Sequence, residues 1–240
     1  MEEEHGYGTM EDVEQCLQNT FPKLRRETSL EERETINLNR AYEYLKKQVK
    51  RVDDKDVNGL LEVELLQEAH RIVLDGVKLN QTQTKAGEFS ENDRYTEFEE
   101  EIYHYPKPEN GMKDAVMTCL DRYNDLLYSV KTEGSDEERV YKLFRICAWM
   151  LFELLDLHPF SDGNGRLCRL LCSYALGTIT PFPSPIYNIW SESRKDDYKK
   201  ALVEARKSDR HPRSLTTMII ECNWFGWREF YKELGVQVEE

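Results

Sequence analysis

From residue 158 to residue 169 the chain reads His-Pro-Phe-Ser-Asp-Gly-Asn-Gly-Arg-Leu-Cys-Arg. This run puts a proton acceptor, a carboxylate, two glycines around an amide and two guanidiniums into one turn and the start of a helix. Backbone N–H groups at a glycine-rich helix start have no intrahelical acceptor and sit at the positive end of the helix dipole, so they cradle anions. Gly163 and Gly165 can take positive φ and let a phosphate approach the backbone. Asn164, between them, can donate from its side-chain amide to a phosphate oxygen. Arg166 and Arg169 lie three apart, share a helix face and can bracket a polyphosphate with charge-assisted bonds. Asp162 is a hard oxygen ligand suited to Mg2+ shared with the phosphates. His158 can take a proton near neutral pH, as a general base on an incoming hydroxyl does. Together these groups describe phosphoryl or nucleotidyl transfer, in which positioning and charge neutralisation supply most of the catalysis. Each has a plainer reading alone: a turn, a helix end, a solvated helix face. A structural turn has no need of all of them at fixed spacing.

Helices must hold this cluster on both sides. Val140 to Leu157 is apolar on nearly every side after Lys142 and Arg145, which predicts a central buried helix stopped by His158-Pro159. Leu167 to Leu176 predicts a second apolar helix, opened by the glycines. Met112, Val116, Cys119, Leu120, Tyr123, Leu127 and Val130 keep the three-to-four spacing of one amphipathic helix. Further helices are expected over Glu11 to Asn19, Glu31 to Val49, Leu60 to Leu74, Arg194 to Lys207 and Ser214 to Tyr231. Pro181, Pro183 and Pro185 interrupt the C-terminal part. Gln81 to Tyr95, rich in Thr and turn formers, breaks the helical pattern and reads as a short hairpin or a surface loop.

Composition narrows the class. At 240 residues the chain can bury one well-packed domain, and its net charge of -13 argues against nonspecific nucleic-acid binding, which needs a basic surface. No run approaches a membrane span, and the Met-Glu-Glu-Glu start is unlike a signal or transit peptide. The six cysteines contain no Cys-x-x-Cys, and Cys147, Cys168 and Cys172 fall within apolar helical patterns. They read as buried thiols of a reducing compartment, which points to the cytoplasm or the nucleus.

The 158–169 run resembles, without gaps and at every specified position, the signature of the Fic (fido) family, His-x-Phe-x-Asp/Glu-Gly-Asn-Gly-Arg-x-x-Arg. The resemblance implies a mainly all-α fold, a helical bundle with a short β-hairpin flap over the active site. It implies an ATP-dependent protein adenylyltransferase moving AMP to a Ser, Thr or Tyr hydroxyl of a target protein. On that analogy His158 is the base, Phe160 anchors the loop in the core and Asp162 holds Mg2+. Gly163, Asn164 and Gly165 bind the α- and β-phosphates, and Arg166 and Arg169 hold the β- and γ-phosphates. Relatives with Lys at the second glycine act as kinases, so the intact Gly165 favours nucleotidyl transfer.

Weaker matches extend over most of the chain. Ala86-Gly87-Glu88-Phe89 is similar to the family's flap sequence, so Gly87, Glu88 and Phe89 are assigned to the flap, whose edge could register a target by strand addition. The family commonly has Arg after the aromatic; here that position is Ser90, with Arg94 four further on. Leu65 to Leu74 resembles the helix before the flap, and His70 within it reads as a core or capping histidine. Arg194, Tyr198, Ala201 and Leu202 resemble the helix near the adenine, with Tyr198 carrying the match as a nucleotide-binding residue or a core aromatic.

Many relatives carry an inhibitory helix, Ser/Thr-x-x-x-Glu-Gly/Asn, whose Glu pairs with the second motif arginine. Glu14 to Thr20 fits only at Asn19 and would place Gln18 where the Glu belongs, which makes Gln18 and Asn19 the regulatory candidates. Thr28 to Glu32 and Thr217 to Glu221 fit less well. The organisation expected is an N-terminal extension over 1–35 and a catalytic domain over 36–240. ATP and a target protein are the expected partners, with no nucleic acid and no membrane, and a homo-oligomer is left open. The alternatives are another nucleotide donor, removal of AMP by the same site, or a non-catalytic nucleotide-binding module. The last would be marked by a lost His, Asp or Arg in the motif, and none is lost.

Overall fold

The apolar run ahead of His158 forms the centre of the molecule. In the structure, a computed structural model, residues 29–48, 50–52, 55–57, 59–77, 85–98, 101–132, 135–187 and 195–236 are described. Among them the element order is α1 (Leu30–Lys46), β1 (Lys50–Val52), β2 (Lys55–Val57), α2 (Val63–Val73), β3 (Tyr95–Phe98), β4 (Glu101–His104), α3 (Met112–Thr132), α4 (Asp136–Leu157), α5 (Asn164–Leu176), α6 (Lys195–Lys207) and α7 (Arg213–Glu233). The mainly helical bundle with a hairpin is as expected.

Helix α4 begins in a capping box: the Glu138 N–H donates to the Ser135 hydroxyl and the Ser135 N–H donates to the Glu138 carboxylate. From Leu143 to Leu155 it buries residues around most of its circumference, because α3, α5 and α7 all pack on it. Each fully buried Leu or Phe there contributes about 1.5–3 kcal/mol of transfer free energy. The helix ends at His158, whose N–H donates to the Leu154 carbonyl while its backbone takes the left-handed conformation at φ 48°. A side chain with a Cβ is uncommon there.

Helix α1 opens on a second capping box, Ser29 with Glu32, and lies across α2 and α5. Asn37 fixes it by donating from Nδ2 to the carbonyls of Val73 (3.2 Å) and Asp75 (2.8 Å), and Arg33 donates to the Gly76 carbonyl. The helix is continuous through residues 35 and 36, so the division expected there runs through one element. The approach to α2 is held by Asn124, which accepts from the Leu61 N–H and donates to the Leu61 carbonyl. After α5, residues 181–187 contain no helix, as the three prolines require, and α6 and α7 close the bundle.

The strands depart from the sequence reading in two ways. A small hairpin, β1–β2, pairs Lys50 with Val57 and was not foreseen. Of the hairpin expected over Gln81 to Tyr95, residues 81–84 lie outside the described residues and 85–94 form no strand; a hairpin follows in β3 and β4, which pair Tyr95 with His104 and Phe98 with Glu101. Gly87, Glu88 and Phe89 therefore lie in the turn ahead of the hairpin and not on it. The cause is where the backbone groups of that turn find partners. The Gly87 carbonyl accepts from Gln67, the Gly87 N–H donates to His70, and the Ser90 N–H donates to the Pro159 carbonyl. Groups so engaged are not free for a ladder.

All five cysteines among the described residues are buried and free, Cys147, Cys168 and Cys172 with them. No helix of the described residues is long and apolar enough to cross a membrane.

Candidate active site

The loop from His158 to Gly163 is shaped by its own side chains. Asn164 is 2 % exposed and both ends of its amide close on Phe160: Nδ2 donates to the Phe160 carbonyl (2.7 Å) and Oδ1 accepts from the Phe160 N–H (3.0 Å). Its expected side-chain donation to phosphate is therefore corrected. The amide folds the loop, and what position 164 offers a ligand is its backbone. Phe160 is fully buried, as an anchor should be.

Gly163 precedes α5 at φ +76°, and a Cβ there would meet His70 Nε2 at 3.2 Å and Leu74 at 3.3 Å, so glycine is required twice over. Gly165 lies within the first turn of α5 and does not adopt positive φ, contrary to expectation. Its missing side chain leaves room for Arg169: a Cβ at 165 would lie 3.0 Å from Nη1 and push the guanidinium aside. The start of α5 has no side-chain cap, leaving its first N–H groups for an anion.

His70, read as a core or capping histidine, is both buried and engaged. Its ring stacks on Phe160 with centroids 3.7 Å apart and planes 9° from parallel. Nδ1 accepts from the Gly87 N–H (2.7 Å), so Nε2 must carry the proton and donate to the Asp162 carbonyl (2.9 Å). Burial lowers its pKa to about 4, against the opposing pull of the Asp162 carbonyl. One neutral imidazole thus joins α2, the turn before the hairpin and the glycine loop.

His158 projects from the end of α4 against the hairpin, stacked on Tyr105. Burial lowers its pKa to about 4, with the Arg94 and Arg206 charges adding to the effect and the Leu155 backbone hydrogen bond and Asp162 opposing it, so it is neutral and able to accept a proton at pH 7. Arg94 stands four residues beyond Ser90 and donates to the carbonyls of Ser90 and Pro106.

The acidic and basic groups meet at the start of α5. The Asp162 carboxylate accepts from the Gly163 N–H (2.6 Å) and lies 3.4 Å from Arg166. Arg166 also forms an ion pair with Glu34 of α1, a residue the sequence reading passed over. Glu34 shares a helix stripe with Asn37, Ala41 and Leu45, all buried, and a carboxylate on a core-facing stripe is the signal that could have found it. Gln18 and Asn19, the regulatory candidates, lie outside the described residues. Arg169 has no carboxylate partner among the described residues; its guanidinium lies 5.3 Å from the Tyr187 ring and 5.8 Å from that of Tyr198. Tyr198 is buried with its hydroxyl lacking a hydrogen bond of good geometry, and burial raises its pKa although Arg169 opposes this.

Among the described residues no group of three or more His, Cys, Asp and Glu side chains could hold a metal. The donor set nevertheless fits Mg2+ carried with phosphates, which takes one or two protein carboxylates and completes its shell from substrate and water. Asp162, with its side chain 42 % exposed, is the carboxylate available.

Comparison with known proteins agrees with this geometry. Residues 60–176 match the model of the Fic/DOC family. A Fido domain-containing protein of Dictyostelium discoideum is 38% identical over 101 residues, 42% of this chain and 59% of that protein. A ribonucleoside-diphosphate reductase small chain of Ostreid herpesvirus 1 is 29% identical over 158 residues, 64% of this chain but 24% of that protein. The chain thus spans from about a quarter to three fifths of the length of these relatives. The crystal structure of a Fic domain containing signaling protein from Bacteroides thetaiotaomicron superposes with a TM-score of 0.64 at 19% identity, covering 89% of this chain and 77% of that one, a likeness of fold. With the whole 158–169 run inside the matched segment and the fold shared, residues 60–176 form a Fic/DOC family domain.

Proposed function

We propose that this protein is an adenylyltransferase that moves AMP from ATP to a Ser, Thr or Tyr hydroxyl of a target protein. Fic domains generally transfer nucleotide-derived groups to proteins. The observation that carries the finer reading is the juxtaposition of a neutral imidazole with an uncapped helix start on one loop, closed by Asn164 and held by His70. His158 takes the proton of the target hydroxyl, and that oxygen attacks the α-phosphorus of ATP. The new O–P bond forms as the bond to the β-phosphate oxygen breaks, and pyrophosphate leaves. The N–H groups at the start of α5, with Arg166 and Arg169, receive the phosphate charge where it develops. Asp162 would hold Mg2+, which neutralises phosphate charge when bound. Tyr187 and Tyr198 flank Arg169, and the partly buried Tyr187 offers aromatic surface for the base while Tyr198 backs it from the core. The compartment proposed is the cytoplasm, on cysteine usage.

A second reading is favoured by Glu34. A carboxylate this close to the phosphate-binding groups could activate water and remove AMP from a modified target by the same site. Incubation with Mg2+ and ATP labelled on the α- or on the γ-phosphate separates the outcomes. Label from the α-phosphate on protein, with pyrophosphate released, supports the proposal. Label from the γ-phosphate would make the protein a kinase, and loss of AMP from a pre-modified target would favour the second reading.

A further inference from the structure

His158 has no side chain to orient it through a hydrogen bond. Its Nδ1 is buried without a side-chain partner, and the Leu155 backbone is the hydrogen-bonding group that acts on the ring, where a base is ordinarily aimed by a third group on its far nitrogen. Beside that backbone contact, the plane of the ring is held by the face of Tyr105: the centroids are 3.9 Å apart and the planes 15° from parallel.

Tyr105 is itself held from several directions. Its N–H donates to the Arg94 carbonyl (2.9 Å), one pair beyond the Tyr95–His104 end of the hairpin register. Arg94 reaches around to the Ser90 and Pro106 carbonyls, and Ser90 is in turn bonded to Pro159, the neighbour of His158. On its other side Tyr103 meets Tyr105 edge-on at 5.4 Å. The Tyr103 hydroxyl donates to Asp156 (2.7 Å), and the Arg206 guanidinium lies 3.7 Å over the Tyr103 ring while donating from Nε to the same carboxylate (2.9 Å). Asp156, 1 % exposed, sits two residues before His158 on α4. The contacts form a closed circuit from α4 through α6 and the hairpin back to the imidazole.

We propose that Tyr105 is a positioning residue for His158, its ring face setting the plane of the imidazole and so aiming Nε2 at the incoming hydroxyl. The proposal rests on the reading of His158 as the base. It couples that base to the hairpin, so a target strand that shifts β4 also moves the proton acceptor. An aromatic face further suits the proton once taken, because an imidazolium stacked on it gains a cation–π attraction. That attraction counters the like charges of Arg94 and Arg206, while Asp162 is the carboxylate that acts on His158.

The test compares Tyr105→Phe, which keeps the stack, with Tyr105→Leu, which removes it, and with His158→Ala as reference. Tyr105→Met replaces the Leu variant if the latter does not fold, judged by its melting transition. The Phe variant should keep kcat within about twofold, and the Leu variant should lose at least about tenfold in kcat with KM for ATP unchanged, as expected for a misaimed group. NMR titration of His158 gives a readout independent of turnover. The Phe variant should retain the low midpoint, and the Leu variant should move it up towards the ordinary histidine value as water reaches the ring. Full activity in His158→Ala would defeat the base assignment itself. An inert His158→Ala beside a Leu variant with wild-type kcat and an unmoved titration would overturn the role of Tyr105 alone. Equal losses in the Phe and Leu variants would also overturn it, by assigning the effect to the hydroxyl.

Discussion

Glu34 and Arg166, 132 residues apart in sequence, form an ion pair across the interface of α1 and α5. Arg166 also lies in the first turn of α5, so a polyphosphate bound there would compete with Glu34 for it. Both side chains retain some solvent access, 34% for Glu34 and 19% for Arg166.

Glu34→Gln should therefore raise nucleotide affinity and transfer rate. A partly screened pair of this kind is worth about 1 kcal/mol, or roughly fivefold. Rates of self-modification and KM for ATP, measured side by side, decide it. Unchanged values would mean that Arg166 does not meet the nucleotide.

His158→Ala should abolish transfer while leaving ATP binding nearly intact, since the cradle at α5 is built by Asn164, Gly163 and His70 and not by the base. The expected loss is about 100-fold or more in rate. Calorimetric ATP binding alongside the transfer assay separates the two effects, and near-normal labelling would sink the mechanism.

Asp162→Ala should weaken the dependence on Mg2+ and cost much of the rate, because the other carboxylate nearby, Glu34, is held in its ion pair with Arg166. Titration of activity against Mg2+ checks this. If the apparent Mg2+ affinity stayed the same, Asp162 would be serving only the Gly163 N–H and Arg166.

Acid should destabilise the fold before it reaches the carboxylates. The folded protein holds His70 neutral down to about pH 4, whereas the unfolded chain protonates it below its ordinary value of 6.5. The unfolded state therefore binds the extra proton across that window. Stability is full above pH 6.5 and falls as pH drops towards 4, by about 3 kcal/mol from this residue. His158 acts in the same direction. Chemical denaturation from pH 7 to pH 4 should show the slope, and His70→Phe should flatten part of it. A pH-independent midpoint in the wild-type protein would refute the argument.

Much of the fold was legible because periodicity reports burial. The spacing of Met112 to Val130 and the apolar stretch to Leu157 each marked a helix that the structure contains. The 158–169 motif was legible for a different reason, since its chemistry lies in a contiguous run. What escaped was non-local. Glu34 meets Arg166, His70 meets Gly87 and Asp162, and Tyr105 meets His158 only after the bundle forms. The hairpin was misplaced because turn formers at 85–90 are as much at home in a docked turn as in a β-turn, and only partners on α2 distinguish the two. Asn164 was misread because an amide beside an anion cradle can face inwards as well as outwards.

The left-handed backbone of His158 sets chemistry and folding against each other at one residue. Glycine would end α4 there without strain, whereas a side chain at φ 48° costs about 1 kcal/mol. If His158 is the proposed base, the strain at this helix end is stability given up for its chemistry. A His158→Gly protein should shed that strain but lose the ring's stacking on Tyr105, and should transfer nothing.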